Sequence, residues 1–374
     1  MKSNKKLVSY LLILLISLTA QIPLTTLRFV IPIFAHNAGA SIFIIGLLGT
    51  VYGSIYFVLA SIFGRYSEKI GIKRMASLGM ILYLVISLIY TQFRTPYEYL
   101  LGKSLEAVSM AMVWPAVEGL SSKLGNKNKE SALLMYTFGW SIGASIAPYI
   151  ASFLLIYNDL YPLFFSSIIS LLSFIFIIIS KPGEEGEIIE GFEGFSIAFN
   201  IVFPMLIYGF DSSIFYSFYS VYGTIYNFGK YSTGLIGTFY GIFQTIAFII
   251  SWLISRRIKS GKLIVIGTIM SLFVFLVYLY HTVLISIVSF SILGFGMGLV
   301  YYSALINIFR TFHKDVTSKT GIFESSIGVG YVIGPLVAGI PTRLGYILPW
   351  LVLVMFSFLL LIIEIVGHFK GKLM

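Results

Sequence analysis

The sequence predicts an all-α integral membrane protein, with twelve transmembrane helices in two pseudo-symmetric six-helix bundles. Three observations predict it. The chain is 58% hydrophobic and only 11% charged, where soluble domains carry about 25% charged residues. Its Lys and Arg residues collect in the breaks between long apolar runs, and in alternate breaks. Two motifs also recur half a chain apart. Gly46-Leu-Leu-Gly-Thr-Val-Tyr-Gly53 returns as Gly234-Leu-Ile-Gly-Thr-Phe-Tyr-Gly241, an offset of 188, and Gly143-Ala-Ser-Ile-Ala-Pro148 returns as Gly330-Tyr-Val-Ile-Gly-Pro335, an offset of 187. Half of this 374-residue chain is 187 residues, so the two matches predict parallel halves related by an axis along the membrane normal.

Each apolar run is long enough to cross a bilayer, which takes about 20 helical residues. Helix 1 is expected over Leu7–Ala35, bent by Pro23 and Pro32. Lys2, Lys5 and Lys6 precede it as in a signal peptide, yet no small-x-small cleavage site follows and apolarity continues through Phe34. An uncleaved helix is therefore expected. Helices 2 and 3 are expected over Ser41–Phe63 and Met75–Phe93, joined by a short polar hinge, Gly64 to Arg74. Helices 4, 5 and 6 follow over Tyr97–Leu120, Ser131–Tyr157 and Tyr161–Ser180. Residues 182–195 are acidic, Gly-rich and broken by Pro182, which marks a linker between an N-terminal bundle, 1–181, and a C-terminal bundle, 196–374. Helices 7 to 9 are expected over Ser196–Val221, Tyr231–Ser255 and Leu263–His281. Helices 10 to 12 are expected over Val283–Phe309, Thr320–Ile340 and Gly345–Gly367.

Charge sets the orientation. With alternate loops assigned to one side, 20 of the 25 Lys and Arg residues share the side of both termini and the linker. Only Arg94, Lys230 and Arg343 lie opposite, and Arg28 and Lys103 fall within helices. The positive-inside rule makes the rich side cytoplasmic. The net charge of +10 is spread over short loops rather than gathered in one patch, which argues against nucleic-acid binding. The absence of cysteine excludes disulfides and Cys-based metal sites, and the four histidines are not paired on a helix face. No nucleotide-binding loop and no nucleophilic triad is present, so neither an enzyme nor an ATP-driven pump is expected, and no cofactor. The expected setting is a cytoplasmic membrane, with the chain acting as a monomer.

The hinge Gly64-Arg-Tyr-Ser-Glu68-Lys69-Ile-Gly71-Ile-Lys73-Arg74 resembles the signature loop of the major facilitator superfamily between its second and third helices. Gly64, Glu68, Lys69, Gly71, Lys73 and Arg74 fit the pattern in order, with Glu68 where Asp is usual and Ile72 where a base is common. Gly64 leaves room for a close helix approach, and Gly71 permits a positive φ in the turn. At the matching place in the second half only the positive charge survives, since Trp252, Arg256 and Lys259 replace Gly64, Glu68 and Gly71. Gly139-x3-Gly143-x3-Ala147-Pro148 resembles the helix-5 motif of the family's antiporters. Its repeat, Gly330-x3-Gly334-Pro335-x2-Ala338-Gly339, is the better match. Both are small-residue stripes with a proline, suited to close packing and bending. The resemblance implies a secondary transporter working by alternating access, with a cavity lined by helices 1, 4, 7 and 10.

Charges within spans are expensive and mark function. Asp211 lies near the middle of helix 7, after Tyr208, with no base within a helical turn. It reads as a substrate or proton site, or as a buried acid bonded to Ser or backbone. Lys103 and Glu106 share a face of helix 4 at i and i+3, either neutralising one another or, by a weak likeness to the family's helix-4 motif, serving coupling. Arg28 lies about 12 Å from the middle of helix 1 at about 1.5 Å per residue, within snorkelling reach of the outer interface. Gln21 and Gln244 are ligand contacts or interhelical hydrogen bonds. Glu118 and Glu324, in the inner parts of helices 4 and 11, are expected as cytoplasmic gate or brace residues. Trp114, Trp140, Tyr301 and Tyr302 line a cavity or pack helices. The expected function is proton-coupled efflux of an amphipathic or cationic small molecule. The alternatives are proton symport of a sugar or organic acid, for which Arg28 and Lys103 suit an anion, and a sensor or scaffold that moves nothing.

Overall fold

The computed structural model describes residues 2–125, 129–181, 196–255, 257–311 and 316–369. The first half is α1 (Lys2–Asn37), α2 (Ile42–Ile70), α3 (Ile72–Ile89), α4 (Pro96–Gly125), α5 (Lys129–Tyr157) and α6 (Tyr161–Ile179). The second half is α7 (Ser196–Ile225), α8 (Lys230–Ile254), α9 (Ser260–Leu279), α10 (Val283–Thr311), α11 (Val316–Gly339) and α12 (Leu348–Phe369). A 3₁₀ turn at Leu272–Val274 interrupts α9. No strand occurs among the described residues, as lipid demands of a chain that must satisfy its own backbone polar groups. The expected linker, 182–195, lies outside the described residues, as do Arg256 and the end of the chain from Lys370.

Lipid exposure sorts the helices. On α6 the exposed residues Phe164, Ile168, Leu171, Ile175 and Ile178 form one stripe, and α3, α9 and α12 carry similar apolar faces. These four are peripheral. Among the described residues, ten helices are long and apolar enough to cross a membrane, and the two that do not reach that mark are α4 and α7. These two are buried along most of their length. Screened from lipid by their neighbours, they can afford Lys103, Glu106, Glu118 and Asp211, which a lipid-facing helix could not.

The polar hinge is not a loop. Helix continues through it, and a single residue, Gly71 at φ +105°, turns the chain from α2 into α3. The segment stays helical because it is amphipathic: Gly64 and Ser67 are buried while Arg65 and Lys69 are exposed. A Cβ on Gly321 of α11 would stand 3.2 Å from Gly64 Cα, so the expected close approach is present. Lys73 Nζ donates to Ser180 O at 2.9 Å, capturing a carbonyl at the end of α6.

The halves meet along two seams, α2 against α11 and α5 against α8. The repeated motifs build both, crosswise. A Cβ on Gly46 would stand 2.6 Å from Pro335 O, one on Gly49 2.7 Å from Pro335 Cγ, and one on Gly53 2.4 Å from the Tyr331 carbonyl carbon. On the other seam, a Cβ on Gly234 would stand 2.9 Å from Pro148 O, on Gly237 2.9 Å from Pro148 Cβ, and on Gly241 2.6 Å from Ser145 Cα. The first motif of each half thus docks on the second motif of the other. The remaining glycines of the second motif face inward within their own half. A Cβ on Gly143 would stand 2.8 Å from Leu18 O, one on Gly330 2.4 Å from Phe210 N, and one on Gly334 2.8 Å from Phe210 O.

Candidate functional site

Between the seams lies a cavity of about 40 Å³, room for a few waters at about 10–15 Å³ each. The halves are closed around it. From the first half come Gln21 and Arg28 of α1, Tyr52 and Tyr56 of α2, Trp114 of α4, and Tyr136 and Trp140 of α5. The second half contributes Tyr208 and Tyr216 of α7, Tyr301 of α10, and Glu324 and Tyr331 of α11. A second cavity, also about 40 Å³, lies toward the end away from the basic hinge, against Pro32, Leu48, Gly49 and Lys103. Arg28, Tyr52, Tyr216 and Tyr331 line both cavities and form the partition between them.

Arg28 holds this partition together. Its guanidinium carbon lies 4.8 Å from the ring centre of Tyr216, 5.3 Å from Tyr331 and 5.7 Å from Tyr52. Its Nη2 donates to Tyr331 Oη at 3.2 Å. Rather than snorkelling to the interface, the side chain turns into the seam, where three electron-rich faces compensate its charge. Rings from both halves are thereby gathered on one cation.

Toward the basic end a second polar layer closes the cavity. Tyr136 and Tyr301 both donate to Glu118 Oε1, at 3.0 and 3.2 Å, and Tyr56 donates to Glu324 Oε2. Trp140 packs edge-on against Tyr301 and Phe248 at 5.2 and 5.1 Å between ring centres. Tyr208 lies 5.0 Å from Tyr301, and Trp114 lies 6.3 Å from Tyr136. Gln244 donates to Tyr208 Oη at 3.4 Å. Gln21 donates to Thr25 Oγ1 at 2.8 Å within its own helix. Tyr302, expected beside Tyr301, is buried on α10 near Phe248 and does not line the cavity.

Two expected groups lie elsewhere. Asp211 points away from the seam into the second half, where its oxygens accept from Ser271 Oγ at 2.5 Å and Ser357 Oγ at 2.8 Å. It lines neither cavity. Lys103 and Glu106 form a buried ion pair at 3.0 Å, to which Tyr83 adds a hydrogen bond at 3.2 Å and Tyr90 another. Only Lys103 of this group reaches a cavity, the second one.

Sequence reasoning singles out Arg28, Gln21, Tyr208, Trp114 and Glu324 but passes over Tyr52, Tyr56, Tyr136, Tyr216 and Tyr331. One signal was available: Tyr52 sits inside the first repeated motif, and its counterpart Tyr240 is likewise buried, against Phe215 at 4.1 Å. The others carry no local mark, because tertiary packing alone brings their rings together.

The lining presents ring faces suited to a flat apolar body, a cation at Arg28 suited to an anionic group and an acid at Glu324 suited to a cationic one, although the space now enclosed takes only a few waters. It offers no cluster of metal ligands among the described residues. The family model of the Major Facilitator Superfamily matches residues 13–306 and 201–369. The quinolone resistance protein NorA of Staphylococcus aureus is 23% identical over 329 residues, 83% of this chain and 84% of that protein. Among solved structures, a mutant of the nucleoside transporter NupG superposes with a TM-score of 0.75 at 13% identity, over 96% of this chain and 99% of that one. A bacterial homolog of the human lysosomal transporter Spinster, inward-facing and unoccupied, gives a TM-score of 0.69 at 12% identity, over 98% and 97%.

Proposed function

The chain belongs to the major facilitator superfamily, as a multi-pass membrane transporter and not an enzyme, and from that premise we propose that it exports planar, aromatic, amphipathic compounds across the cytoplasmic membrane in exchange for protons. One observation carries the reading: the cavity shared by the two halves is walled by tyrosine and tryptophan rings, with Arg28 and Glu324 as its ionisable groups. Such a site binds by stacking and by charge at two ends, and it asks little of the exact shape between them. The relatives support an aromatic cargo. NorA is named for resistance to quinolones and NupG for transport of nucleosides, both built on flat rings. Export rests on the NorA likeness and on the antiporter-like stripes at Gly143–Pro148 and Gly330–Pro335.

In this reading the basic end, which carries the hinge, both termini and the linker at 182–195, faces the cytoplasm. The two halves, 1–181 and 196–374, rock about their glycine seams, and the translocation path lies within one chain. The closed cavity is the occluded intermediate. Opening at the basic end admits cargo, and parting of the Arg28 partition releases it on the other side.

The test is transport in proteoliposomes with an imposed pH gradient, using ethidium and a fluorescent quinolone as probes. Protons and probe should move in opposite directions, and Arg28→Ala should lower the rate at least tenfold. Movement in the same direction would favour symport of an anionic solute held at Arg28. A protein that moves neither probe, with or without a gradient, would not be an exporter of this class.

A further inference from the structure

The second half carries two acids away from both cavities, Asp211 of α7 and Glu364 of α12, at 0% and 1% exposure. Among the described residues neither forms an ion pair. Asp211 is held by Ser271 of α9 and Ser357 of α12. Glu364 has no such support, since both its carboxyl oxygens are buried without a hydrogen-bond partner.

Helix geometry turns these acids toward one another. Beside Asp211, Phe210 stacks on Phe356 at 3.9 Å between ring centres, so α7 and α12 are in contact there. Leu353, Ser357, Leu360 and Glu364 are buried along one stripe of α12. Positions seven apart differ by only about 20° around a helix. Glu364 therefore faces the side on which Ser357 meets Asp211, about 10 Å nearer the basic end at about 1.5 Å per residue. A helical side chain leans toward its own N-terminus. Because α7 starts at the basic end and α12 finishes there, Asp211 leans toward that end and Glu364 away from it. Thr268, one turn nearer the basic end than Ser271 on the buried face of α9, stands level with the gap between them. Its hydroxyl donates to Ile264 O at 3.1 Å, which leaves its lone pairs free.

The fold does not require an acid at this place. At the repeat offset of 187, Ser357 answers to Ser170 and Glu364 to Ile177, both fully buried on α6. The first half thus fills the position with an aliphatic side chain, whereas a carboxyl group without a partner is costly to bury. A protonated Glu364 would have to donate its O–H, and neither oxygen has an acceptor at hydrogen-bond distance. Polar groups that converge without touching are spaced for an ion between them. The ligand set is oxygen only, which suits a hard cation. The cost of dehydrating an ion rises with the square of its charge, which favours a monovalent one inside a bundle. We propose that Glu364 and Asp211, with the hydroxyls of Thr268, Ser271 and Ser357, form a sodium site inside the second half, apart from the cargo path. The ion ties α9 and α12 to α7, the helix that also supplies Tyr208 and Tyr216 to the cavity wall. The site is independent of what the cargo is.

The purified full-length protein tests this without cargo. Sodium in place of choline should raise the unfolding temperature by several degrees at saturation, as a ligand of the native state does. Equilibrium binding of radioactive sodium should level off at a single ion per chain. Glu364→Gln should lose both responses. Glu364→Ile, which installs the first half's own residue, should lose them too while staying folded in choline, and it serves if the Gln variant does not fold. Equal unfolding temperatures in sodium and choline, or a Gln variant that answers sodium as the wild type does, would overturn the proposal. A larger shift with potassium or calcium than with sodium would overturn the choice of ion. Stabilisation by acid through Glu364, with no response to any metal cation, would make the occupant a proton and remove sodium from the site.

Discussion

Lys103 is buried with 7% of its side chain exposed, and its partner Glu106 is fully covered. Glu106 spends both oxygens on Lys103, Tyr83 and Tyr90, so removing the lysine strands a charge that nothing else neutralises. Lys103→Met should cost about 3–5 kcal/mol, read as a lowered unfolding temperature in detergent. Pairing it with Glu106→Leu should recover most of the loss. The i, i+3 spacing made this pair legible in the sequence; the tyrosines that complete it come from α3 and its end, and no local pattern announces them. Asp211 shows the opposite limit. Its rarity in an apolar helix was plain, but which way a mid-helix side chain faces depends on the packing of α9 and α12, and both its oxygens are taken by serines there. Ser271→Ala should cost about 1–3 kcal/mol, as the loss of a buried hydrogen bond to an acid does. An unchanged unfolding temperature would mean that the serine contributes nothing to holding Asp211.

At the scale of helices, the glycine stripes decide how near the halves come. Gly53 meets backbone of α11 where even one added carbon would overlap it. Gly53→Val should therefore push α2 off α11, costing about 1–3 kcal/mol of overpacking. The seam offers its own gauge. Ser61 and Ser325 face one another with their hydroxyl oxygens 2.6 Å apart, so Ser61→Cys with Ser325→Cys should oxidise readily to a disulfide that locks the basic end and stops transport. Adding Gly53→Val should slow that oxidation severalfold. The repeats revealed that two halves exist, since a period of half the chain survives in the glycines. They could not reveal that the two copies dock crosswise, because sequence similarity says which segments are alike and nothing about which segments touch.

For the whole molecule, hydropathy and basic residues indicated the number of spans, and the burial of α4 and α7 explains why those two read as the weakest. Leu344 and Tyr97, 87% and 74% exposed, lie at the end away from the hinge, while Tyr66 lies at the hinge end. In intact cells, Leu344→Cys and Tyr97→Cys should react with an impermeant thiol reagent and Tyr66→Cys should not. The reverse pattern would invert the molecule and, with it, the direction of every movement proposed above.

The crosswise docking also bears on origins. Each half carries both a glycine stripe and the proline-bearing stripe that receives one, so each half is a lock that holds its own key. Two identical copies of such a half would be self-complementary about a two-fold axis, the symmetry of an ordinary dimer. On this view the present chain is a fused dimer whose halves have since drifted apart. One now carries Arg28 and Glu118, and the other carries Asp211 and Glu324. A chain that began as two equal subunits would then owe its directionality to the places where they ceased to be equal.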